Sequence, residues 1–324
     1  MLKTKLSIIG KILKENLLLI FLILFILMVS TSSDGNEVYI NQVGTNVEVT
    51  IVQDGQNNRI STKSTAASPA TLYGKNQTIN FTQTGDNNKI GLYKHYYGSD
   101  NQTASNMTAT QTGNNLIMYL DNHGDNNNFT TEQIHQNAIM DLEIDYDDNT
   151  VIAKQICSYS TCDQDQMTLN IYGGNDNSVT MGQGYEVSST GVFSYDNQEY
   201  GGHYMNVYIS GDNNSYIASQ KANNTSTEHT NYSYIYGDYN TVFIKQMHNN
   251  DKSLMLTVNN DYNDVDIKQQ KSGGSQSAMI TLSGTYGTDL DLTMGTNNTT
   301  GPGTYSLSQN CQTVGGCSIS VTQN

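Results

Sequence analysis

Tryptophan is absent from this chain, proline occurs twice (Pro69, Pro302) and arginine once (Arg59). Near-absence of proline excludes proline-rich linkers and leaves backbone N–H groups free to pair between strands. Fifteen basic residues face thirty acidic ones, a formal net charge of −15, so phosphate backbones are repelled and nucleic acid is excluded as a partner. Only 14% of residues are charged, and those few act as breaks on uncontrolled association of a β-rich surface. No apolar run reaches the roughly 20 residues of a membrane helix; the longest, Leu17–Val29, follows Lys3, Lys5, Lys11 and Lys14 and precedes Ser30-Thr31-Ser32-Ser33. A basic start, a short apolar stretch and a small-residue exit describe a signal peptide over residues 1–33, with an uncleaved anchor as the rival. Its removal takes away four lysines and Glu15, leaving 11 basic and 29 acidic residues, a net charge of −18, on a chain that does not span the membrane.

Catalytic signals are equally scarce. His95, His123, His135, His203, His229 and His248 fall in different segments, and no metalloprotease, nucleophile-elbow or phosphate-loop motif occurs. The expectation is a protein that is not an enzyme and carries no cofactor or metal. Asp145, Asp147 and Asp148 form an acidic cluster at the spacing of a solvated turn, and Gly173-Gly174-Asn175-Asp176-Asn177 is better taken as a turn than as a calcium repeat. Four cysteines make two local pairs, Cys157/Cys162 and Cys311/Cys317, without a flanking histidine. An even count in a secreted chain points to two disulfide clips on turns, the second closing the C-terminal coil, with free thiols as the alternative.

What the chain has in abundance is one pattern. With Gly44 as position zero in INQVGTNVEVTIVQ, Ile40 and Gln42 sit at −4 and −2, Val49 and Ile51 at +5 and +7, and Gln53 at +9. Gly85 repeats the frame with Phe81, Gln83 and Ile90; Gly113 and Gly124 with Gln111, Met118, Leu120, Phe129, Thr131 and Gln133. Gly211 brings Val207, Ile209, Tyr216, Ala218 and Gln220, and Gly237 brings Ile235, Val242, Ile244 and Gln246. Where the glycine is replaced the frame persists: Tyr146 leads to Val151, Ala153 and Gln155, and Asn260 to Val265, Ile267 and Gln269.

These positions are two residues apart, which is the strand period. The Gly-Asp-Asn-Asn type interruptions supply residues that tolerate positive φ or close a turn through their own amide. Each cassette therefore reads as strand, turn, strand, either as antiparallel hairpins or as arcs of a solenoid. The steps decide for the solenoid: Gly44 to Gly55 and Gly113 to Gly124 are 11 residues each, so half-coils join into a 22-residue coil. Longer steps, 37 residues from Gly174 to Gly211 and 26 from Gly211 to Gly237, place their extra residues in loops. An all-β solenoid over 34–324, of roughly ten coils ~4.8 Å apart, is expected. The strict frame also argues against disorder in a chain this rich in Asn and Gln.

Gln-x-Gly-x-x-Asn-x-Ile, at Gln53–Ile60 and Gln83–Ile90, with shortened forms at Gln42–Asn46 and Gln111–Asn115, resembles the curlin repeat of bacterial curli fibres. After about Asp141 the likeness loosens, with Tyr172, Ile209, Ile235 and Val258 in place of the first Gln. The resemblance implies a β-solenoid secreted to the cell surface, with stacked Gln and Asn ladders, whose end coils template other curlin-like subunits in a biofilm matrix. The implied ladder is Gln42, Gln53, Gln83, Gln111, Gln133, Gln155, Gln220, Gln246 and Gln269, and the turn glycines are Gly44, Gly55, Gly85, Gly113, Gly124, Gly211 and Gly237.

Three functions compete. A secreted adhesive or self-associating protein leads. A polysaccharide-binding or polysaccharide-active solenoid, with Tyr93, Tyr96, Tyr97, Tyr185, Tyr195, Tyr200 and Tyr204 stacking on sugars, is second. An outer-membrane β-barrel is third, because its strands need roughly 9–11 residues with an apolar outer row.

Overall fold

In the computed structural model the chain divides into two compact units, Met1–Gly35 and Asn36–Asn324. The structure describes residues 41–43, 48–60, 71–73, 77–91, 105–123, 127–134, 138–156, 166–174, 176–194, 203–221, 228–237, 239–247, 251–259, 262–270, 275–284, 287–295, 303–311 and 317–323. The expected signal peptide (1–33), Gly44, Gly124, Cys157 and Cys162 lie outside them. Among the described residues there is no helix, and hence none long and apolar enough to cross a membrane.

Alternating apolar and polar side chains, bounded by Gly/Asn/Asp turns, give twenty-two described strands. The first eight are β1 (Asn41–Val43), β2 (Glu48–Thr50), β3 (Thr71–Tyr73), β4 (Gln77–Asn80), β5 (Ile90–Gly91), β6 (Ser105–Thr110), β7 (Ile117–His123) and β8 (Asn128–Ile134). Next come β9 (Ile139–Asp145), β10 (Thr150–Ile156), β11 (Gln166–Tyr172), β12 (Ser178–Gln183), β13 (Tyr204–Ser210), β14 (Ser215–Lys221) and β15 (His229–Tyr236). The last are β16 (Thr241–Met247), β17 (Lys252–Asn259), β18 (Asp264–Gln270), β19 (Gln276–Gly284), β20 (Asp289–Met294), β21 (Gly303–Cys311) and β22 (Ser318–Gln323).

Each strand pairs with the one two places along the chain, always in parallel, so hairpins do not occur among the described strands. Even-numbered strands form an eleven-stranded sheet from β2 to β22, and odd-numbered strands a nine-stranded sheet from β5 to β21, with β1 and β3 paired separately. The chain therefore winds as a β-solenoid, one strand of each sheet per coil. Strands that face a core on one side alternate buried and half-exposed, as β9 and β13 do without a break.

Parallel, in-register pairing places like on like. Ile209 lies beside Ile235, which lies beside Val258; Val242 lies beside Val265, and Ile244 beside Ile267. These side chains, with Phe81, Ile90 and Val207, belong to one apolar interior, and Ile51 of the first coil is partly buried against it. Stacking is the only way such a coil hides its apolar row, because one coil alone has nothing to cover it. One coil carries a polar cluster inside: the hydroxyl of the fully buried Tyr216 lies 3.2 Å from Ser233 Oγ, and Ser233 Oγ donates to Asn231 Oδ1 at 2.6 Å. Burial pushes the Tyr216 phenol up to about 12, against the pull of those hydrogen bonds.

Two details differ from the sequence frame. Tyr172 does not take the inward place of the first Gln: Ile171 does, beside Ile144 and Ile209, while Tyr172 points outward and is 43% exposed. The Gly173-Gly174 pair, both at positive φ, adds one residue to that turn and shifts the count. In the N-terminal turns the left-handed residue is not the glycine but its successor, Gln56, Asp86 or Asn114.

Candidate functional site

The solenoid's polar ladders are its most ordered chemical feature. On the even-numbered sheet, one inward position per coil is glutamine, and an apolar interior leaves its amide no water to bind, so amide must bind amide. Gln53 Nε2 donates to Gln83 Oε1 at 2.7 Å, Gln83 to Gln111 at 2.7 Å and Gln111 to Gln133 at 2.6 Å. Beyond Gln155 the direction reverses: Gln183 donates to Gln155 at 3.0 Å, Gln220 to Gln183 at 3.0 Å, Gln246 to Gln220 at 2.8 Å and Gln269 to Gln246 at 2.8 Å. Several of these amides also donate across the coil to a backbone carbonyl, as Gln246 does to Ser253. Gln53 Oε1 and Gln269 Oε1, at the two ends, are buried and accept nothing.

Eight glutamines of the expected row stand in this ladder. Gln42 does not: its backbone lies in β1, opposite Leu72, outside the even-numbered sheet. The structure adds Gln183, which the frame had passed over. Beyond Gln269 the row meets Met294 and then Gln323, so the ladder is interrupted at one residue.

A second ladder runs through the turns that precede the even-numbered strands. Asn127 donates to Asn149 at 3.0 Å, Asn149 to Asn177 at 3.0 Å, Asn177 to Asn214 at 2.8 Å, Asn214 to Asn240 at 2.9 Å and Asn240 to Asn263 at 2.8 Å. All six are buried, each three residues after a frame zero, the place of the Asn in Gln-x-Gly-x-x-Asn-x-Ile. Beside them Gly174, Gly211 and Gly237 stack so closely that a Cβ at Gly237 would fall on the Gly211 carbonyl and one at Gly211 on the Gly174 carbonyl. Both Gly211 and Gly237 also hold positive φ, 149° and 146°. By contrast, nothing lies within 4 Å of a Cβ built on Gly55 or Gly85.

The opposite turns begin alike and then diverge. Asn58 and Asn88 are joined side chain to side chain at 2.9 Å, but the same column continues as Leu116 and Ala138, then His203, His229, Lys252 and Gln276, all buried. His203 and His229 stack in parallel, and His203 Nε2 donates to the Lys221 carbonyl at 2.9 Å. Burial pushes the Lys252 amine down to about 8, with Asp251 opposing. The sequence had scattered these histidines; each sits eight residues before a turn glycine, Gly211 or Gly237, which is the signal that unites them.

Part of the 37-residue step is packed on the solenoid. Residues 184–194 fold across the outer face of the even-numbered sheet: Tyr185 donates to Glu132 Oε1 at 2.9 Å and stacks on Phe193, and Glu186 pairs with Lys245 at 2.6 Å. Gly182 and Ser219 leave the space that Tyr185 and Val187 fill.

Cys317 is disulfide-bonded, and the backbone of Cys311 ends β21. Asp147 and Asp148 occupy the turn after β9, as turn residues. Among the described residues no three His, Cys, Asp or Glu side chains converge as a metal site would require. Comparison with family models, curated proteins and solved structures gives no match.

Proposed function

We propose that this chain is a secreted, curli-like structural or adhesive protein of the cell surface, which self-associates through the ends of its solenoid and turns over no substrate. The observation that carries this reading is the unfinished glutamine ladder: a buried Gln53 Oε1 without a donor at one end of a parallel, in-register stack. A sheet end offers unpaired backbone groups to another strand, and a carbonyl row ending in mid-air favours a donor from that strand. The N-terminal coils, with Gln53, Gln83 and Gln111 in register, are the more interactive end. The C-terminal end interrupts the ladder at Met294 and carries the Cys317 disulfide. A nucleating or terminating component fits this asymmetry better than a bulk subunit.

Incubation of the purified chain, alone and with a curlin-type major subunit, followed by thioflavin fluorescence and electron microscopy, tests the reading. Seeding, capping or fibre formation is expected, and faster with added salt, because salt screens the repulsion between acidic chains. A chain that stays monomeric, leaves the partner's kinetics unchanged and binds no cell surface would remove the basis for it.

A further inference from the structure

The outer face of the nine-stranded sheet is sharply divided by charge. On β9 its outward residues include Asp141, Glu143 and Asp145, which lie beside Thr168, Asn170 and Tyr172 of β11. From β11 through β13, β15, β17 and β19, no outward residue is charged: every one is Tyr, Asn, Gln, Ser, Thr or Met. Six of them are tyrosines, Tyr172 on β11, Tyr204 and Tyr208 on β13, and Tyr232, Tyr234 and Tyr236 on β15. They lean on one another diagonally across the strands, Tyr172 on Tyr208 at 5.3 Å, Tyr208 on Tyr236 at 5.5 Å and Tyr204 on Tyr232 at 5.8 Å between centroids. Crowding by burial and by Tyr232 and Tyr234 holds the Tyr204 phenol above its ordinary value.

We propose that this tyrosine face is a docking surface for a neutral polysaccharide. A chain of net charge −15 that leaves the outward side of five adjacent strands without any charge has a face that can be covered at no cost of buried charge. The net charge also selects the occupant. Acidic polymers are repelled on approach, whereas an uncharged polymer is not. The chemistry of the face is that of a sugar's complement. Tyrosine offers a rigid, amphipathic ring with little entropy to lose, whose negative face meets the C–H face of a pyranose. The interleaved Thr, Ser and Asn side chains supply donors and acceptors for the hydroxyl edge. The repeat of parallel strands, roughly 4.8 Å apart, presents these groups along a line, as a linear polymer requires. This face is separate from the solenoid ends and does not depend on their role in assembly.

The test is co-sedimentation of the full chain with microcrystalline cellulose, with alginate beads as the polyanionic control. Binding to cellulose is expected, with little change between about 0.1 and about 1 M salt, over which the screening length falls from about 10 to about 3 Å. The triple variant Tyr208→Thr, Tyr232→Thr, Tyr236→Thr keeps strand-forming residues and should bind on the order of tenfold more weakly. Tyr239→Asn with Tyr262→Asn removes an exposed tyrosine stack in the turns, outside the face, and should bind as the parent does. Should the triple variant melt early, Tyr236→Glu alone, placing a charge at the edge of the face, must show the same loss. Failure of the parent to sediment with cellulose, equal binding by all variants, or release at high salt overturns the proposal. So does loss of self-association by the triple variant without polysaccharide, which would assign the face to a second copy.

Discussion

His203 and His229 lie ring on ring, 5.0 Å between centroids and 8° between planes, inside a turn column that continues to Lys252. The column places three basic groups where the other turns place a neutral amide ladder. Lys252 carries the clearest consequence. In the unfolded chain its amine has the ordinary value of 10.5, and in the fold burial lowers it to about 8. Below pH 8 the fold therefore carries the full cost of a buried ammonium, and between 8 and 10.5 that cost is relieved. Stability gains on the order of 3 kcal/mol across this window. Urea unfolding of the parent and Lys252→Met at pH 7 to 10 is the check. The variant should be the more stable at pH 7 and lack the rise; parallel profiles would contradict the assignment.

The glutamine ladder stops at Gln269 because Met294 occupies the next rung. Met294→Gln offers a donor to the unpartnered Gln269 Oε1 and should stabilise by about 1 kcal/mol, a rise of about 2 °C in melting temperature. Gln246→Leu, in mid-ladder, should cost about 3 kcal/mol, since Gln246 bonds both Gln220 and Gln269 and reaches the His229 and Ser253 carbonyls. Thermal unfolding of the two variants should move in opposite directions.

The turn glycines separate into two kinds. Gly237→Ala drives a methyl into the Gly211 carbonyl at a φ of 146°, and should cost several kcal/mol or prevent folding. Gly55→Ala meets open space at a glycine outside the left-handed region, and should change stability by less than about 0.5 kcal/mol. Comparable losses at both sites, read by circular dichroism melts, would show that the close backbone approach is not what holds Gly237.

Ile244 is 1% exposed, stacked between Ala218 and Ile267. Ile244→Asp buries a carboxylate among apolar neighbours and should cost more than about 3 kcal/mol. An unchanged thermal transition would mean that the side chain does not face inward.

The solenoid was legible because its two-residue alternation is set locally, and because a copied turn fixes where each alternation restarts. Gln246 and Ile244 could be assigned inward from spacing alone. Tyr172 could not, because two adjacent glycines hide a one-residue lengthening that only the register with Ile144 and Ile209 reveals. The His203–Lys252 column escaped for a different reason. Its members differ in type, and residue identity, on which repeat detection relies, carries no signal where the geometry is conserved but the chemistry changes. Residues 184–194 were legible as extra length, and their seat on Gly182 and Ser219 depends on contacts between coils that no single cassette encodes.

The unequal lengths of chain between ladder rungs, 22 residues from Gln111 to Gln133 but 37 from Gln183 to Gln220, have a mechanical consequence. Every coil adds the same height to the stack, whatever its length of chain. Stretched from its two ends, the stack would peel coil by coil, releasing roughly 75 Å of slack from the shortest coil and roughly 125 Å from the longest. A force-extension trace would then carry unevenly spaced teeth, and their order would identify which end had yielded first.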